Sequence, residues 1–326
     1  MTRSVLITGA SSGFGLNAAL ALAAEGWHVF ASMRDVRKGE PLRERALAEG
    51  VADQISLVQL DVTDTTSVEK GVGEVLASTG GTLEAVLNNA GYSILGAFED
   101  LSDADCRRQM ETNFFGTLAV TRAVLPSMRA AGRGRIAIVT SNAVNAPHPM
   151  LTMYAASKWA LEGWAEGLAM EVAPFGVEVV VVQPGAHRTP FAEHVVPVIP
   201  KGSAYARWME MAMPGISNLD QWGRDAELAT PALVAAVSDP HMPFRTAIGE
   251  DSVAFARLKG SSPYEARAWV LRAILGLPGP GSFMDGAAST TASNVPTVTD
   301  VIAERLSGAA ARDPELVNLL LGAAIA

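Results

Sequence analysis

Two residues of one short motif, Tyr154 and Lys158 of Tyr-Ala-Ala-Ser-Lys, have the types and spacing needed to move a proton. They are four residues apart, so on a helix their side chains share one face. A phenol has an ordinary pKa of about 10, and a neighbouring ammonium favours the phenolate and lowers that pKa. The spacing predicts that Tyr154 is a general acid or base assisted by Lys158. The alternative is a chance spacing, with Tyr154 a core residue whose hydroxyl is satisfied.

Two polar residues earlier in the chain fit the same chemistry. Ser141 stands at the end of a predicted strand, where its hydroxyl can donate a hydrogen bond to a substrate oxygen. Asn113 lies in the preceding long predicted helix, where it can hold a water that links Lys158 to solvent. Together with Tyr154, these residues form the candidate catalytic set.

The chain also has a turn that is suited to binding phosphate. Thr8-Gly9-Ala10-Ser11-Ser12-Gly13-Phe14-Gly15 falls between the first predicted strand and the first predicted helix. Glycines allow a tight turn and a close approach of pyrophosphate, and a helix N-terminus offers free N–H groups. The alternative is a turn that only packs the helix closely. Because strand, turn and helix follow in the required order, we predict a dinucleotide site.

The residues after the second predicted strand bear on the choice of nucleotide. A site selective for NAD normally has an acidic residue there, which binds the ribose hydroxyls. This chain has Ser32, Met33 and Arg34, and a guanidinium matches the oxygens of a ribose 2′-phosphate. The sequence therefore favours NADP(H). The alternative is NAD(H), with Asp35 as the ribose ligand and Arg34 as a solvated surface charge.

The next two strands end in polar residues at the same edge. Asp61-Val62 closes the third strand, where a carboxylate can accept a hydrogen bond from the adenine amine. Asn88-Asn89-Ala90-Gly91 closes the fourth strand in the same way. The alternative for both segments is an ordinary turn or helix cap.

Short β-rich runs alternate with helical patterns through the first two thirds of the chain, which predicts a doubly wound α/β Rossmann fold around a central parallel sheet. Continuous apolar runs such as Val179 to Val182 suit strands covered on both faces. Helices are expected from about Gly13 to Glu25, after Thr66, after Ser102 and around Tyr154. The expected strands are 4–8, 28–32, 55–60, 83–87, 135–140 and 177–182.

The chain is interpreted as one catalytic domain, residues 1–262, with a C-terminal extension, residues 263–326. A helical lid over the site is expected at about 190–225, and a Gly-, Pro-, Ser- and Thr-rich loop at 277–299. Asp313 followed by Pro314 predicts the start of a last helix. The extension is expected to pack on the domain or on a neighbouring subunit.

The composition argues against several other classes of protein. A formal charge of −9 gives no footprint for nucleic acid or an anionic membrane surface. Cys106 is the single cysteine, which excludes an intramolecular disulfide. The five histidines lack metal-ligand spacing, so no metal is expected. No targeting segment and no run long enough to cross a bilayer is evident, which predicts a cytoplasmic protein.

With these residues assembled, the chain resembles the short-chain dehydrogenase/reductase (SDR) family from about residue 3 to residue 260. The resemblance rests on five ordered motifs, which are the glycine turn, Asn88-Asn89-Ala90-Gly91, Asn113, Ser141 with Tyr154-x-x-x-Lys158, and Pro184-Gly185 with Thr189. It implies hydride transfer between a nicotinamide and a carbonyl or secondary alcohol, with Asn113, Ser141, Tyr154 and Lys158 as the catalytic tetrad. It also implies a homodimer or homotetramer. Within the family, Ala31 to Asp35 and Pro174 to Val177 are similar to NADP-using members that handle steroids, retinoids and other bulky ketones.

The cofactor contacts expected from the residues and the resemblance together are Gly9, Ser11, Ser12, Gly13, Phe14, Gly15, Arg34, Asp61, Val62, Asn89, Ala90, Gly91, Tyr154, Lys158, Pro184, Gly185, His187 and Thr189. His187 departs from the family, which usually has a small apolar residue at that place. Its backbone can still contact the cofactor, while its imidazole can face the substrate.

A methionine-rich inventory near the predicted lid favours a bulky hydrophobic carbonyl or alcohol substrate. The expected substrate contacts are Ser141, Met150, Met153, Tyr154, Trp208 and Met209. The alternative for the methionines is ordinary core packing. Two other functions stay open: an epimerase or dehydratase of the same chemistry, which the glycine spacing disfavours, and an NADP-sensing protein without turnover.

Overall fold

A computed structural model describes residues 3–210 and 223–274. Within these residues, seven parallel strands form one sheet in the order β3-β2-β1-β4-β6-β7-β11. The sheet strands are β1 (Ser4–Thr8), β2 (His28–Met33), β3 (Ile55–Gln59), β4 (Ala85–Asn88), β6 (Gly134–Val139), β7 (Val177–Pro184) and β11 (Arg245–Ile248). Two short pairs lie outside it, β5 (Ser93–Leu95) with β9 (Val195–Pro197) and β8 (His187–Arg188) with β10 (Arg224–Asp225). The strand order reverses between β1 and β4, where such folds bind ligands beyond the strand ends.

Helices cover both faces of the sheet, as predicted for a doubly wound fold. All five residues of β1 are buried: Val5 and Ile7 join one hydrophobic cluster, and Leu6 joins the cluster on the opposite face. The helices are α1 (Gly13–Ala24), α2 (Glu40–Ala48), α3 (Thr65–Ser78), α4 (Asp103–Met110), α5 (Gly116–Ala131), α6 (Thr152–Val172), α7 (Thr230–Ser238), α8 (Glu250–Ser261) and α9 (Tyr264–Ile274).

The helix starts show where local sequence is informative. Ser102 and Asp105 form a capping box at the start of α4, which confirms the helix predicted there. The predicted start of α3 at Thr66 is wrong, because the Asp64 carboxylate caps the helix by accepting hydrogen bonds from the N–H groups of Thr66 and Ser67. An Asp two residues earlier competes successfully for the free amides.

One π-helical turn, Glu111–Phe115, joins α4 to α5. Asn113 lies within this turn, so the predicted long helix is continuous but locally widened. Such bulges are frequent at functional sites. This one shifts the register of the helix beside the site.

Only part of the expected lid falls within the described residues. After Pro190, β9 pairs in parallel with β5, and residues 206–210 are helical. Residues 211–222 of the expected lid, the 277–299 loop and the helix predicted at Asp313 lie outside the described residues. Of the C-terminal extension, α9 is described, and its Ala266 and Val270 side chains are buried. No helix in the described ranges is long and apolar enough to cross a membrane.

Candidate active site

Three of the four predicted catalytic residues meet where β6 faces α6. Ser141 lies two residues beyond the end of β6, and its side chain hydrogen-bonds to that of Tyr154 on α6. One helical turn further along α6, the Lys158 ammonium lies 5.8 Å from the centre of the Tyr154 ring. Lys158 Nζ donates a hydrogen bond to the Val139 carbonyl at 3.0 Å. The i, i+4 spacing therefore places phenol, hydroxyl and ammonium side by side.

Burial sets the protonation of this group. It raises the pKa of Tyr154, and the hydrogen bond from Ser141 acts in the opposite direction with a smaller effect. The lowered pKa expected for Tyr154 is therefore not produced by the protein's own groups alone, because desolvation of the phenolate outweighs the hydrogen bond from Ser141. Burial also lowers the pKa of Lys158 to about 8. At neutral pH Tyr154 carries its proton, and most Lys158 side chains are charged.

Asn113 stands behind the cavity wall and braces a loop. Its amide donates to the Tyr92 carbonyl at 3.0 Å and to the Ser157 hydroxyl at 3.0 Å, and its Oδ1 accepts from the Tyr92 N–H at 3.1 Å. The side chain is fully buried, at 0% exposure. Its amide is thus occupied by protein groups, and the water-holding role expected of Asn113 stays a prediction. A Cβ at the neighbouring Gly91 would lie 3.6 Å from Lys158 Nζ.

Gln109, which was not singled out from sequence, braces the same loop. Its side chain donates to the Tyr92 carbonyl at 2.9 Å and accepts from the Ile94 N–H at 2.7 Å. Gln109 precedes Asn113 by four residues, so a polar pair at helical spacing was the available indication.

The glycine turn is built for close approach. Gly9 has φ +67°, and a Cβ there would lie 2.9 Å from the Cα of Ala90. The Asn89 amide ties the turn to β4 through the carbonyls of Thr8 and Gly9, at 3.0 and 3.1 Å. Within the described residues, the Ser12 side chain makes no capping bond to α1. The first amides of α1 are thus available to an anion, which fits a nucleotide phosphate.

Arg34 and Asp35, the two candidates for binding the ribose end of the nucleotide, make different contacts. Arg34 is exposed and lines the cavity. Asp35 does not line it and instead pairs with the Arg37 guanidinium at 2.9 and 2.8 Å and accepts from its N–H at 3.0 Å. These hydrogen bonds lower the pKa of Asp35 to about 2. Asp61 also lines the cavity, while its Oδ1 accepts two hydrogen bonds from Thr63.

The loop after β7 closes the other end of the nucleotide region. The His187 ring is buried, lies 3.1 Å from the Gly185 carbonyl through Nδ1, and meets the Phe14 ring edge-on at 5.3 Å. The imidazole therefore packs against the glycine turn. Asp251, which sequence analysis did not single out, accepts from the Ala186 N–H at 2.8 Å, and burial raises the pKa of its carboxyl.

One continuous cavity of about 1290 Å³ joins the glycine turn to Ser141, Tyr154 and Lys158. Every expected cofactor residue lines it except Gly15. A Cβ at Gly15 would lie 2.4 Å from the Gly9 carbonyl oxygen, so this glycine serves close packing of the turn. The nucleotide region and the proton-transfer group share one space large enough for a dinucleotide and a second molecule.

Four of the expected substrate contacts lie away from the cavity. Met150 and Met209 are buried in a small cluster with Leu95 and Ala97, and Trp208 packs against it. Neither these residues nor Met153 line the cavity. Apolar side chains that do line it include Leu151, Phe191, Val195, Val196 and Phe255.

Polar side chains that were not predicted as site residues also line the cavity. They include Tyr92, Glu111, Asn142 and His148. Burial lowers the pKa of His148 to about 4, so its ring is neutral at physiological pH. Loop and helix segments distant in sequence bring these groups together, which explains why periodicity did not reveal them.

The sheet order, the phosphate turn and the tyrosine–lysine pair define a nicotinamide-dependent oxidoreductase of the Rossmann class. The family model described as short chain dehydrogenase matches residues 3–198. The chain belongs to this family. It is 41% identical over 184 residues to the uncharacterized oxidoreductase YusZ of Bacillus subtilis, covering 56% of this chain and 65% of that protein.

A second relative matches over most of both chains. It is the 3-ketodihydrosphingosine reductase of Bacteroides thetaiotaomicron, 34% identical over 271 residues, which cover 82% of this chain and 96% of that protein. Among solved structures, a short-chain dehydrogenase from Streptomyces avermitilis is 32% identical with a TM-score of 0.69, covering 80% of this chain and 94% of the other. The likeness to these proteins thus extends past residue 198, where the match to the family model ends.

Proposed function

We propose that this protein is an NADP(H)-dependent oxidoreductase that interconverts a ketone and a secondary alcohol on a bulky hydrophobic small molecule. The observation that carries the proposal is the single cavity that holds the phosphate-binding turn at one end and the Ser141–Tyr154–Lys158 group in its wall. A catalytic carboxylate or metal is not needed for this chemistry.

The side chains supply the proton half of the reaction. A bound nicotinamide supplies a hydride to the carbonyl carbon or accepts one from the alcohol carbon. In the reductive direction Tyr154 donates its proton to the carbonyl oxygen, and its raised pKa keeps that proton in place at neutral pH. Ser141 stabilises the phenolate that remains, and the Lys158 ammonium adds favourable charge. Asn113 acts as a positioning residue through the Tyr92 backbone.

The choice of NADP(H) is supported by the residues after β2. Arg34 lines the cavity, whereas the Asp35 carboxylate is held by Arg37. A site for NAD(H) would need a carboxylate free to accept hydrogen bonds from both ribose hydroxyls. The guanidinium of Arg34 matches a 2′-phosphate instead.

The substrate class is supported by the apolar side chains that line the cavity, among them Leu151, Phe191 and Val195. A relative that covers most of this chain is named as a reductase of a keto compound. A bulky apolar ketone fits both observations.

We further propose a catalytic domain of residues 1–262 with residues 263–326 as an extension, a cytoplasmic location, and a homodimer or homotetramer. Exposed apolar side chains on one helix pair support the oligomer: Phe115 is 50% exposed at the start of α5, and Met170 is 74% exposed on α6. Sedimentation velocity of the purified chain tests the oligomer.

The central test is a panel of ketones and secondary alcohols assayed with NADPH and with NADH by nicotinamide absorbance. We expect turnover with NADPH, and we expect Tyr154→Phe to lower kcat by about 10²- to 10⁴-fold. The dissociation constant for NADPH should stay within about twofold, since the backbone and Lys158 contacts remain. Turnover retained by Tyr154→Phe would refute the mechanism. Binding of NADPH without turnover of any carbonyl would favour the sensor, and product formation without net cofactor oxidation would favour the epimerase.

A further inference from the structure

A buried carboxylate outside the cavity continues the tyrosine–lysine face of α6. Glu162 follows Lys158 by four residues and Tyr154 by eight, so the three side chains lie on one face of the helix. Glu162 is 5% exposed and does not line the cavity. A buried carboxylate needs several hydrogen bonds to be tolerated, and Glu162 has them.

This face of α6 binds the end of β6 at three consecutive residues. Lys158 Nζ donates to the Val139 carbonyl at 3.0 Å. The Thr140 hydroxyl donates to Glu162 Oε1 at 2.8 Å, and the Ser141 hydroxyl hydrogen-bonds to Tyr154. Ser141, whose side chain contacts Tyr154, therefore directly follows Thr140, whose hydroxyl donates to Glu162.

Glu162 also holds the end of β7. The Gln183 side-chain amide donates to Glu162 Oε1 at 2.8 Å, and Gln183 Oε1 accepts from Asn145 at 2.9 Å. Gln183 directly precedes Pro184-Gly185, which lines the nucleotide part of the cavity, and Asn145 lies in the loop after Ser141. One carboxylate oxygen thus joins the strand that leads to Ser141 with the strand that leads to the cofactor loop.

The second carboxylate oxygen completes the arrangement. Arg245 on β11 donates through Nε to Glu162 Oε2 at 2.6 Å. All donors that face Glu162 in the described structure are therefore Thr140, Gln183 and Arg245. A carboxylate can accept from all three, whereas an amide must turn its NH₂ group toward at least one donor.

We propose that Glu162 is a positioning residue that sets the distance between the Ser141–Tyr154 pair and the cofactor loop at Pro184-Gly185. This proposal rests on the proposed oxidoreductase function. Glu162 acts through Thr140 and Gln183 and touches no reacting atom. Small displacements of reacting groups reduce rates steeply, so the loss should fall on kcat more than on cofactor affinity.

The chain offers a matched control on the same helix. Glu166 lies one turn beyond Glu162 and accepts from Arg245 Nη2 at 2.6 Å. Its side chain is 56% exposed, and within the described residues its side-chain hydrogen bond is to Arg245. Glu166→Gln therefore removes the same charge beside the same arginine without disturbing the ends of β6 and β7.

The experiment compares Glu162→Gln with Glu166→Gln in the full chain. We expect Glu162→Gln to lower kcat by about tenfold to a hundredfold, with the NADPH dissociation constant within about threefold. Glu166→Gln should stay within about twofold of wild type in both kcat and the NADPH dissociation constant. Equal kcat in the two variants would overturn the proposal.

A second measurement does not depend on turnover. The ionisation of Tyr154 is followed by ultraviolet difference titration of each variant against the same variant carrying Tyr154→Phe. Because the hydrogen bond from Ser141 favours the phenolate, its loss in Glu162→Gln should move the Tyr154 titration to higher pH, and Glu166→Gln should leave it in place. An unchanged titration in Glu162→Gln overturns the inference, even if the wild type turns over no carbonyl and the proposed function itself fails.

Thr140→Val serves if Glu162→Gln does not fold. It keeps the carboxylate and its pair with Arg245 but removes the Thr140 hydroxyl, which donates to Glu162 at 2.8 Å and also lies 3.2 Å from the Val182 carbonyl. It should shift kcat and the Tyr154 titration in the same directions by smaller amounts. Wild-type values for Thr140→Val would show that the strand end is not held through Glu162.

Discussion

Replacing Gly15 with alanine tests how the phosphate-binding turn is held. The added Cβ would lie 2.4 Å from the Gly9 carbonyl oxygen and 2.7 Å from the Asn89 side-chain nitrogen. Ordinary contacts need about 1 Å more, so the turn or α1 must move. Overpacking of this kind costs about 1–3 kcal/mol. The two Asn89 hydrogen bonds to the turn, at 3.0 and 3.1 Å, contribute about 1 kcal/mol each and are weakened by the same movement.

Part of this cost is offset by the higher helix propensity of alanine, which is worth about 1 kcal/mol. We therefore expect Gly15→Ala to lose about 1–4 kcal/mol, shared between the free energy of unfolding and the binding of NADP(H). A loss of about 1.4 kcal/mol in binding alone is a tenfold rise in the dissociation constant. Denaturant unfolding without cofactor and fluorescence titration with NADPH measure the two parts.

Gly163→Ala is the matched control, because it makes the same change inside a helix. A Cβ at Gly163 meets no atom within 4 Å, so it should gain up to about 1 kcal/mol in unfolding free energy and leave NADPH binding unchanged. If Gly15→Ala behaves like Gly163→Ala in both measurements, the close packing of the turn against α1 is not what requires glycine there.

Two further predictions concern charge. Arg34→Leu should raise the dissociation constant for NADPH by about tenfold or more, since a charge-assisted hydrogen bond to phosphate contributes about 1.5–3 kcal/mol. The dissociation constant for NADH should change by less than about twofold. Equal losses of affinity for NADPH and NADH would refute the assignment of Arg34 to the 2′-phosphate. The pKa of Lys158 is about 8 in the folded protein against an ordinary 10.5, so between these values the unfolded chain binds a proton that the folded chain does not. The unfolding free energy should therefore rise between about pH 8 and pH 10.5, by on the order of 3 kcal/mol from this group. Lys158→Met should lack that part of the rise. Parallel plots of unfolding free energy against pH for the two proteins would refute this prediction.

Secondary-structure elements whose ends are marked by short local sequence patterns could be predicted. The strands from Ser4, His28 and Val177, the capping box at Ser102 and the glycine turn all follow from neighbouring residues and were found close to the predicted places. The start of α3 was missed by a small margin because two nearby side chains could cap it. The burial of Met150 and Met209 in a core cluster could not be predicted for a different reason, since composition gives the polarity of a segment but not the direction its side chains take.

The amino-acid sequence by itself determined the class of fold, the helix that carries Tyr154 and Lys158, and the turn at Gly9 to Gly15, because each depends on contacts within a few residues. Only the tertiary structure decided that burial raises the pKa of Tyr154, since desolvation depends on everything packed around the phenol. It also decided that Met150 faces the core and that Glu162 joins the ends of β6 and β7. These properties arise between segments far apart in the chain, and their distances exist only once the sheet has assembled.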